Sequence, residues 1–152
     1  MPELDLIYKV HKNLYIGAYW PRLNFTRFKK IGITAIVNLM EENLYNPTQL
    51  GFKYLHRGFP DDSYPPHEVL EEILNFIDEN LKDGGKVLVH CSMGISRSGG
   101  IVTAWLLKNH PNWNWKDAIS YIEKSKFIAP AAEIRESVLD YLEKLDNYRR
   151  MY

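Results

Sequence analysis

The chain has 152 residues, 45% of them hydrophobic and 25% charged, a balance that suits one soluble domain with a real core. Lysine plus arginine and aspartate plus glutamate number 19 each, so no net field draws the chain to nucleic acid or to an anionic membrane. The apolar runs are too short to span a bilayer, and a single cysteine excludes an intramolecular disulfide and suits a reducing, cytoplasmic setting.

In chain order, residues 1–10 carry acids where a signal peptide needs bases and a greasy core. Leu14-Tyr15-Ile16-Gly17 reads as an edge strand that ends at a turn. Asn24 is placed to cap a helix over Phe25–Ile31, with Gly32 as its left-handed stop. Residues 33–40 are nearly all apolar, as in a central strand covered on both faces. A loop over 41–49 follows, with Pro47 as a breaker, and then a strand over 52–56. Residues 59–66 combine prolines with Asp61 and Asp62 and read as an ordered loop. The next helix spans His67–Lys82, with Val69, Leu70, Ile73, Leu74, Ile77 and Leu81 on one face, and Gly84-Gly85 stops it.

Lys86-Val87-Leu88-Val89 is a short β-branched run with the pattern of a buried strand, and residues 99–107 are apolar enough for a buried helix. Beyond a turn at 109–113 containing Pro111, Asn114 caps a helix over 115–126 with Ala118, Ile119 and Ile122 facing inward. Pro130 opens a last amphipathic helix over 131–149, with Ile134, Val138, Tyr141, Leu142 and Leu145 on its face. Strands flanked by helices imply an α/β domain with a mainly parallel central sheet, and residues 1–152 form a single domain. Ligands of such sheets bind at the carboxyl ends of the strands.

The stretch between that strand and helix, His90-Cys91-Ser92-Met93-Gly94-Ile95-Ser96-Arg97-Ser98, carries the chemistry. Strand, tight loop and helix N-terminus make an anion cradle, because loop N–H groups turn inward and the helix adds partial positive charge at its start. Arg97 stands where the helix begins, so its planar fork can grip two oxygens of a phosphate. Cys91 points into the same positive cradle, a setting that favours the thiolate form of a cysteine. A thiolate facing a bound phosphate is a nucleophile facing phosphorus. The stretch therefore reads as a phosphoester hydrolase site. An inert buried cysteine is the usual fate of a free thiol, but it accounts for neither Arg97 nor the loop context.

Cysteine, five residues and arginine, with His90 before the cysteine, Gly94 within the loop and Ser96-Arg97-Ser98 at its end, resembles the dual-specificity branch of the cysteine-based phosphatases. Leu14-Tyr15-Ile16-Gly17 is similar to a segment near the start of that family, so the resemblance covers nearly the whole chain. A rhodanese-type sulfurtransferase also cradles a cysteine, but its loop is usually one residue shorter and lacks the flanking histidine and serine. The resemblance implies a tyrosine phosphatase-like fold and no metal or cofactor. It implies phosphate binding by Ser92, Met93, Gly94, Ile95, Ser96 and Arg97, with Cys91 as nucleophile. It implies that Ser98 bonds the sulfur and makes it a better leaving group, and that His90 lies buried behind the nucleophile. The family's general acid is written Asp-x-x-x-Pro about thirty residues before the cysteine. Asp61 with Pro65 fits, and so does Asp62 with Pro66. Alignment of the following helix favours Asp61, while helix N-terminal charge complementarity is the alternative role for both. Lys124-Ser125-Lys126-Phe127-Ile128-Ala129-Pro130 departs from the Arg followed by Pro-Asn found in many members.

None of Ser92, Met93, Ile95 and Ser96 is basic, whereas relatives acting on inositol lipids or RNA 5′-triphosphates commonly place bases there. A monophosphate ester is the expected substrate, on a phosphoprotein tyrosine or serine/threonine, turned over by a monomeric, metal-independent enzyme with no membrane or nucleic-acid partner. The alternatives are a phosphatase of a sugar, nucleotide or lipid monophosphate, and a phosphopeptide-binding pseudoenzyme. His11, His56, His67 and His110 share no metal-ligand spacing and read as surface or hydrogen-bonded structural residues. Trp105, Trp113 and Trp115 read as packing residues, and Tyr19 and Trp20 as candidates for the mouth of the site.

Overall fold

The computed structural model describes the backbone of residues 6–151 and the side chains of residues 6–147. The acidic Glu3 and Asp5 of the N-terminal segment lie outside the described residues. Five strands form one sheet in the order β1-β2-β5-β3-β4, where β1 is Leu6–His11, β2 Leu14–Ala18, β3 Ala35–Asn38, β4 Lys53–His56 and β5 Val87–Cys91. Only the β1–β2 pair is antiparallel; β2–β5, β5–β3 and β3–β4 are parallel. The helices are α1 (Phe25–Ile31), α2 (His67–Lys82), α3 (Arg97–Asn109), α4 (Trp115–Glu123) and α5 (Ala132–Met151). The α/β architecture with a mainly parallel sheet is the one expected from the sequence.

Alternation along the strands splits the core in two, since successive strand residues face opposite sides of the sheet. Tyr15, Ile36 and Leu88 face one side, where Phe28 of α1 and Phe52 pack on them. Leu14, Ile16, Val37, Val87 and Val89 face the other, under α2, α3, α4 and α5. The α2 face inferred from its spacing is buried: Leu70, Ile73, Leu74 and Ile77 are all fully enclosed. Each such side chain contributes roughly 1.5–3 kcal/mol of burial. That burial anchors α2 and the loop that enters it. Gly84, with φ of 79°, follows its cap.

One strand assignment is corrected. β2 is not an edge strand, because β1 pairs with it on one side and β5 on the other. Asn13, at φ 63°, turns the chain so that residues just upstream fold back and cover the edge. β1 and β4 are the outer strands. Pro47 does more than break structure: it opens a short 3-10 turn over Pro47–Leu50, with Asn46 as the cap. Asn24 and Asn114 both cap their helices as expected, the latter in a capping box with Asp117. The helix after it ends at Glu123, three residues earlier than its apolar spacing suggests. Among the described residues no helix is long and apolar enough to cross a membrane.

Candidate active site

β5 is the central strand and delivers Cys91 at its carboxyl end; six residues later α3 begins at Arg97. The loop between them is pinned from both flanks. Past the end of β2, Tyr19 N donates to Cys91 O at 2.8 Å and Trp20 N to Ser92 O at 3.2 Å. From the α4–α5 connection, Ala129 N donates to Ile95 O at 3.1 Å and Ala131 N to Ser96 Oγ at 2.9 Å. With these carbonyls turned out to neighbours, the loop curls around the space in front of Cys91. Gly94 is required by this curl: its φ is 72°, and a Cβ there would meet Gly17 O at 2.9 Å.

Around the sulfur the contacts are polar and short. Gly94 N donates to Cys91 Sγ at 3.3 Å, and Ser98 Oγ lies 3.2 Å from it. Ser96, the residue before α3, makes no side-chain cap bond, so its hydroxyl leaves the helix N-terminus free to face an anion. Arg97 Nη1 donates to Phe59 O at 3.2 Å and to Leu39 O at 3.4 Å, which fixes the guanidinium. Its Nε is buried without a hydrogen-bond partner. A buried charged donor left unpaired costs free energy, and an anion in the cradle would relieve it.

A cavity of about 580 Å³ opens in front of this loop, lined by Cys91, Ser92, Met93, Ile95, Ser96 and Arg97, with Asp61 on its rim. Asp61 and Asp62 are both exposed on one turn, and of the two it is Asp61 that lines the cavity. The loop carrying them is held by Ser63 Oγ donating to Pro60 O at 2.7 Å and, from α5, by Ser137 donating to Pro65 O. Nothing local in the sequence marks Ser137 for this role; the bond spans 72 positions.

His90, next to Cys91 on β5, is fully buried. Burial is the main force on its imidazole and lowers its pKa from 6.5 to about 4, against the bond to Cys91 O that raises it. The ring is therefore neutral near pH 7, donating from Nδ1 to Cys91 O (3.2 Å) and accepting at Nε2 from the Tyr45 hydroxyl (2.5 Å). Tyr45 stays protonated because burial, and then Tyr54, push its phenol well above the ordinary range. Tyr54 continues the network, accepting from Asn38 Nδ2 at 3.0 Å and donating to Asn43 Oδ1 at 2.6 Å. Tyr45 escaped the sequence reading. Tyr19, a candidate for the mouth, instead stacks near Tyr45 and His90, while Trp20 is 60% exposed.

The remaining histidines each have a polar partner. His11 Nδ1 meets Tyr121 Oη, His56 Nε2 meets Met40 O, His67 Nε2 meets Asp140 and His110 Nδ1 meets Leu106 O. No group of three or more histidine, cysteine or acidic side chains among the described residues is arranged to hold a metal.

Residues 14–144 match the family model described as "Dual specificity phosphatase, catalytic domain". Protein phosphatase Slingshot of Drosophila melanogaster is 28% identical over 127 residues, covering 82% of this chain and 12% of that protein. Tyrosine-protein phosphatase yvh1 of Schizosaccharomyces pombe is 34% identical over 157 residues, covering 99% of this chain and 46% of that one. The chain thus spans less than half the length of either relative. Among solved structures, the human tyrosine phosphatase-like serine/threonine/tyrosine-interacting protein superposes with a TM-score of 0.81 at 28% identity. That match covers 91% of this chain and 97% of the other.

Proposed function

The chain belongs to the dual specificity phosphatase family, and on that premise we propose that it hydrolyses phosphomonoesters on protein through a cysteinyl-phosphate intermediate. The observation that carries this reading is the setting of Cys91 Sγ, with Gly94 N at 3.3 Å and Ser98 Oγ at 3.2 Å, in one cavity with Arg97 and Asp61.

The substrate's phosphate enters the loop with its non-bridging oxygens toward the loop amides, the start of α3 and the fork of Arg97. Cys91, as thiolate, attacks phosphorus in line. The S–P bond forms, the ester P–O bond breaks, and Asp61 gives its proton to the departing oxygen. Water then attacks the cysteinyl phosphate while the ionised Asp61 takes a proton from it. The new O–P bond replaces S–P, and Ser98 Oγ donates to the sulfur as negative charge returns there. Splitting one displacement into two in this way is covalent catalysis. The positive charge the phosphoryl group needs comes from Arg97 and the backbone. Uncharged side chains at Ser92, Met93, Ile95 and Ser96 suit one phosphate, as on phosphotyrosine or phosphoserine/threonine. The lone cysteine suits the reducing cytoplasm as the place of action.

Phosphate release from phosphotyrosine and phosphothreonine peptides tests the reading. Wild type should turn them over in the presence of a metal chelator. Cys91→Ser should lose several orders of magnitude in rate, and Arg97→Lys nearly as much, because a point charge cannot replace a bidentate fork. Steady turnover by Cys91→Ser within about tenfold of wild type would remove Cys91 from the role of nucleophile.

A further inference from the structure

Large apolar side chains stand in solvent on loops bonded to the Cys91 loop. Trp20, Met93 and Phe127 are 60%, 56% and 62% exposed. Met93 lines the cavity, and Phe127 lies two residues before Ala129, whose N–H is bonded to Ile95 O; Trp20, whose N–H is bonded to Ser92 O, stands on the other flank of the loop and outside the cavity lining. Ile95, Ala129 and Ala131 extend the apolar lining on that flank. A single exposed apolar residue is ordinary, but Met93, Ile95, Ala129 and Ala131 line one cavity, with the exposed Phe127 two residues before Ala129, and such a patch marks a surface that is covered in use.

Charge narrows what covers it. Among the described residues Arg97 is the only cation lining the cavity. The two lysines just before Phe127 in sequence lie over rings elsewhere: Lys124 Nζ is 5.6 Å from the Tyr121 ring centroid and Lys126 Nζ 5.4 Å from that of Tyr8. Arg135, on the first turn of α5, lies over Trp115. Asp61 also lines the cavity, with the exposed Asp62 beside it in sequence. An acidic peptide or an anionic lipid surface would meet the Asp61 carboxylate there and, among the described lining residues, no cation but Arg97 of the phosphate cradle. A polypeptide with bulky apolar side chains beside its phosphorylated residue meets both conditions.

We propose that Met93 and Phe127, together with the apolar lining of Ile95, Ala129 and Ala131, form a specificity-determining platform that receives a large apolar side chain next to the phosphorylated residue of a protein substrate. The platform deepens the phosphatase reading above and rests on it. It acts on substrate binding and leaves the two displacements at phosphorus as they are.

The test is a panel of phosphotyrosine peptides that differ only in flanking residues: leucine or phenylalanine, alanine, or glutamate. Its two readouts are kcat/KM with wild type and binding to Cys91→Ser. Apolar flanks should exceed glutamate by about tenfold in both. Phe127→Ala, at an exposed position where folding is not at stake, should bring that ratio to within about twofold, through KM and not kcat. Equal use of all flanks, a preference for glutamate, or an unchanged ratio in Phe127→Ala would overturn the platform. So would faster turnover of phosphatidylinositol 5-phosphate in phosphatidylcholine vesicles than of any peptide. Failure of the parent reading is separate: wild type would then release no phosphate even from an activated aryl phosphate. The ranking of peptides bound by Cys91→Ser would still decide for or against the platform.

Discussion

Tyr45 Oη lies 2.5 Å from Nε2 of His90, so a residue 45 positions away in the β3–β4 connection holds the imidazole that precedes Cys91. The bond runs from a phenol that burial keeps protonated to a ring that burial keeps neutral. Tyr45→Phe keeps the ring and its packing but leaves Nε2 without a donor. An unsatisfied buried acceptor costs about 1–3 kcal/mol. Urea unfolding of the variant should show a lower midpoint at unchanged slope, and an unchanged midpoint would show that the bond contributes nothing.

His90 should also make stability depend on pH. The unfolded chain takes up a proton near pH 6.5, whereas the folded chain does not protonate His90 until about pH 4. Unfolding free energy should therefore be fully present above 6.5, fall as pH drops from 6.5 to about 4, and level off below. The loss is on the order of 3 kcal/mol. Replacing His90 by Asn should flatten that window by one proton, and parallel profiles for the two proteins would contradict it.

Asp61 and Asp62 separate by leaving group. A general acid matters in proportion to how badly the departing oxygen needs a proton. Asp61→Asn should lose about 10²–10⁴ in rate on a phosphopeptide and far less on an activated aryl phosphate, and should flatten the basic limb of the pH–rate profile. Asp62→Asn should show a small loss that ignores the leaving group. A swap of the two patterns would make Asp62 the acid.

Ser98 touches the sulfur, at 3.2 Å, from a fully buried position. Its donation matters most when sulfur leaves phosphorus, so Ser98→Ala should slow the second displacement by roughly 10²-fold and the first far less. Rapid-mixing kinetics with an activated aryl phosphate should then show a burst of one leaving group per enzyme before a slow steady state. Absence of a burst, with both phases slowed alike, would place Ser98 in loop folding only.

From α5, Ser137 holds the loop that carries Asp61 at Pro65. With alanine there, Asp61 should be less well placed, so rate should fall more on phosphopeptides than on activated aryl phosphates, with KM unchanged. Ser137→Thr restores the donor and should restore the ratio. A loss independent of leaving group would mean the bond serves stability alone.

The sequence by itself determined the elements whose signals are local. The helix over His67–Lys82 was legible at both ends, since Pro66 precedes it, apolar residues recur every three or four positions, and Gly84 turns the chain out. The loop from Cys91 to Arg97 was legible because strand, glycine and helix start lie within ten residues. Partners set by distant chain were not. β2 read as an edge because five apolar residues do not say how many strands flank them, and the upstream β1 closes that side. Tyr45 on His90 and Ser137 on Pro65 join residues 45 and 72 positions apart, and each donor looks like any other tyrosine or serine in its own segment. Between the adjacent Asp61 and Asp62 the sequence favoured Asp61 only through alignment of the following helix, and it is the packed loop that brings Asp61 to the cavity. Propensity, periodicity and capping act over about four residues along the chain, whereas a hydrogen bond between loops exists only once the sheet and its helices have fixed both in space.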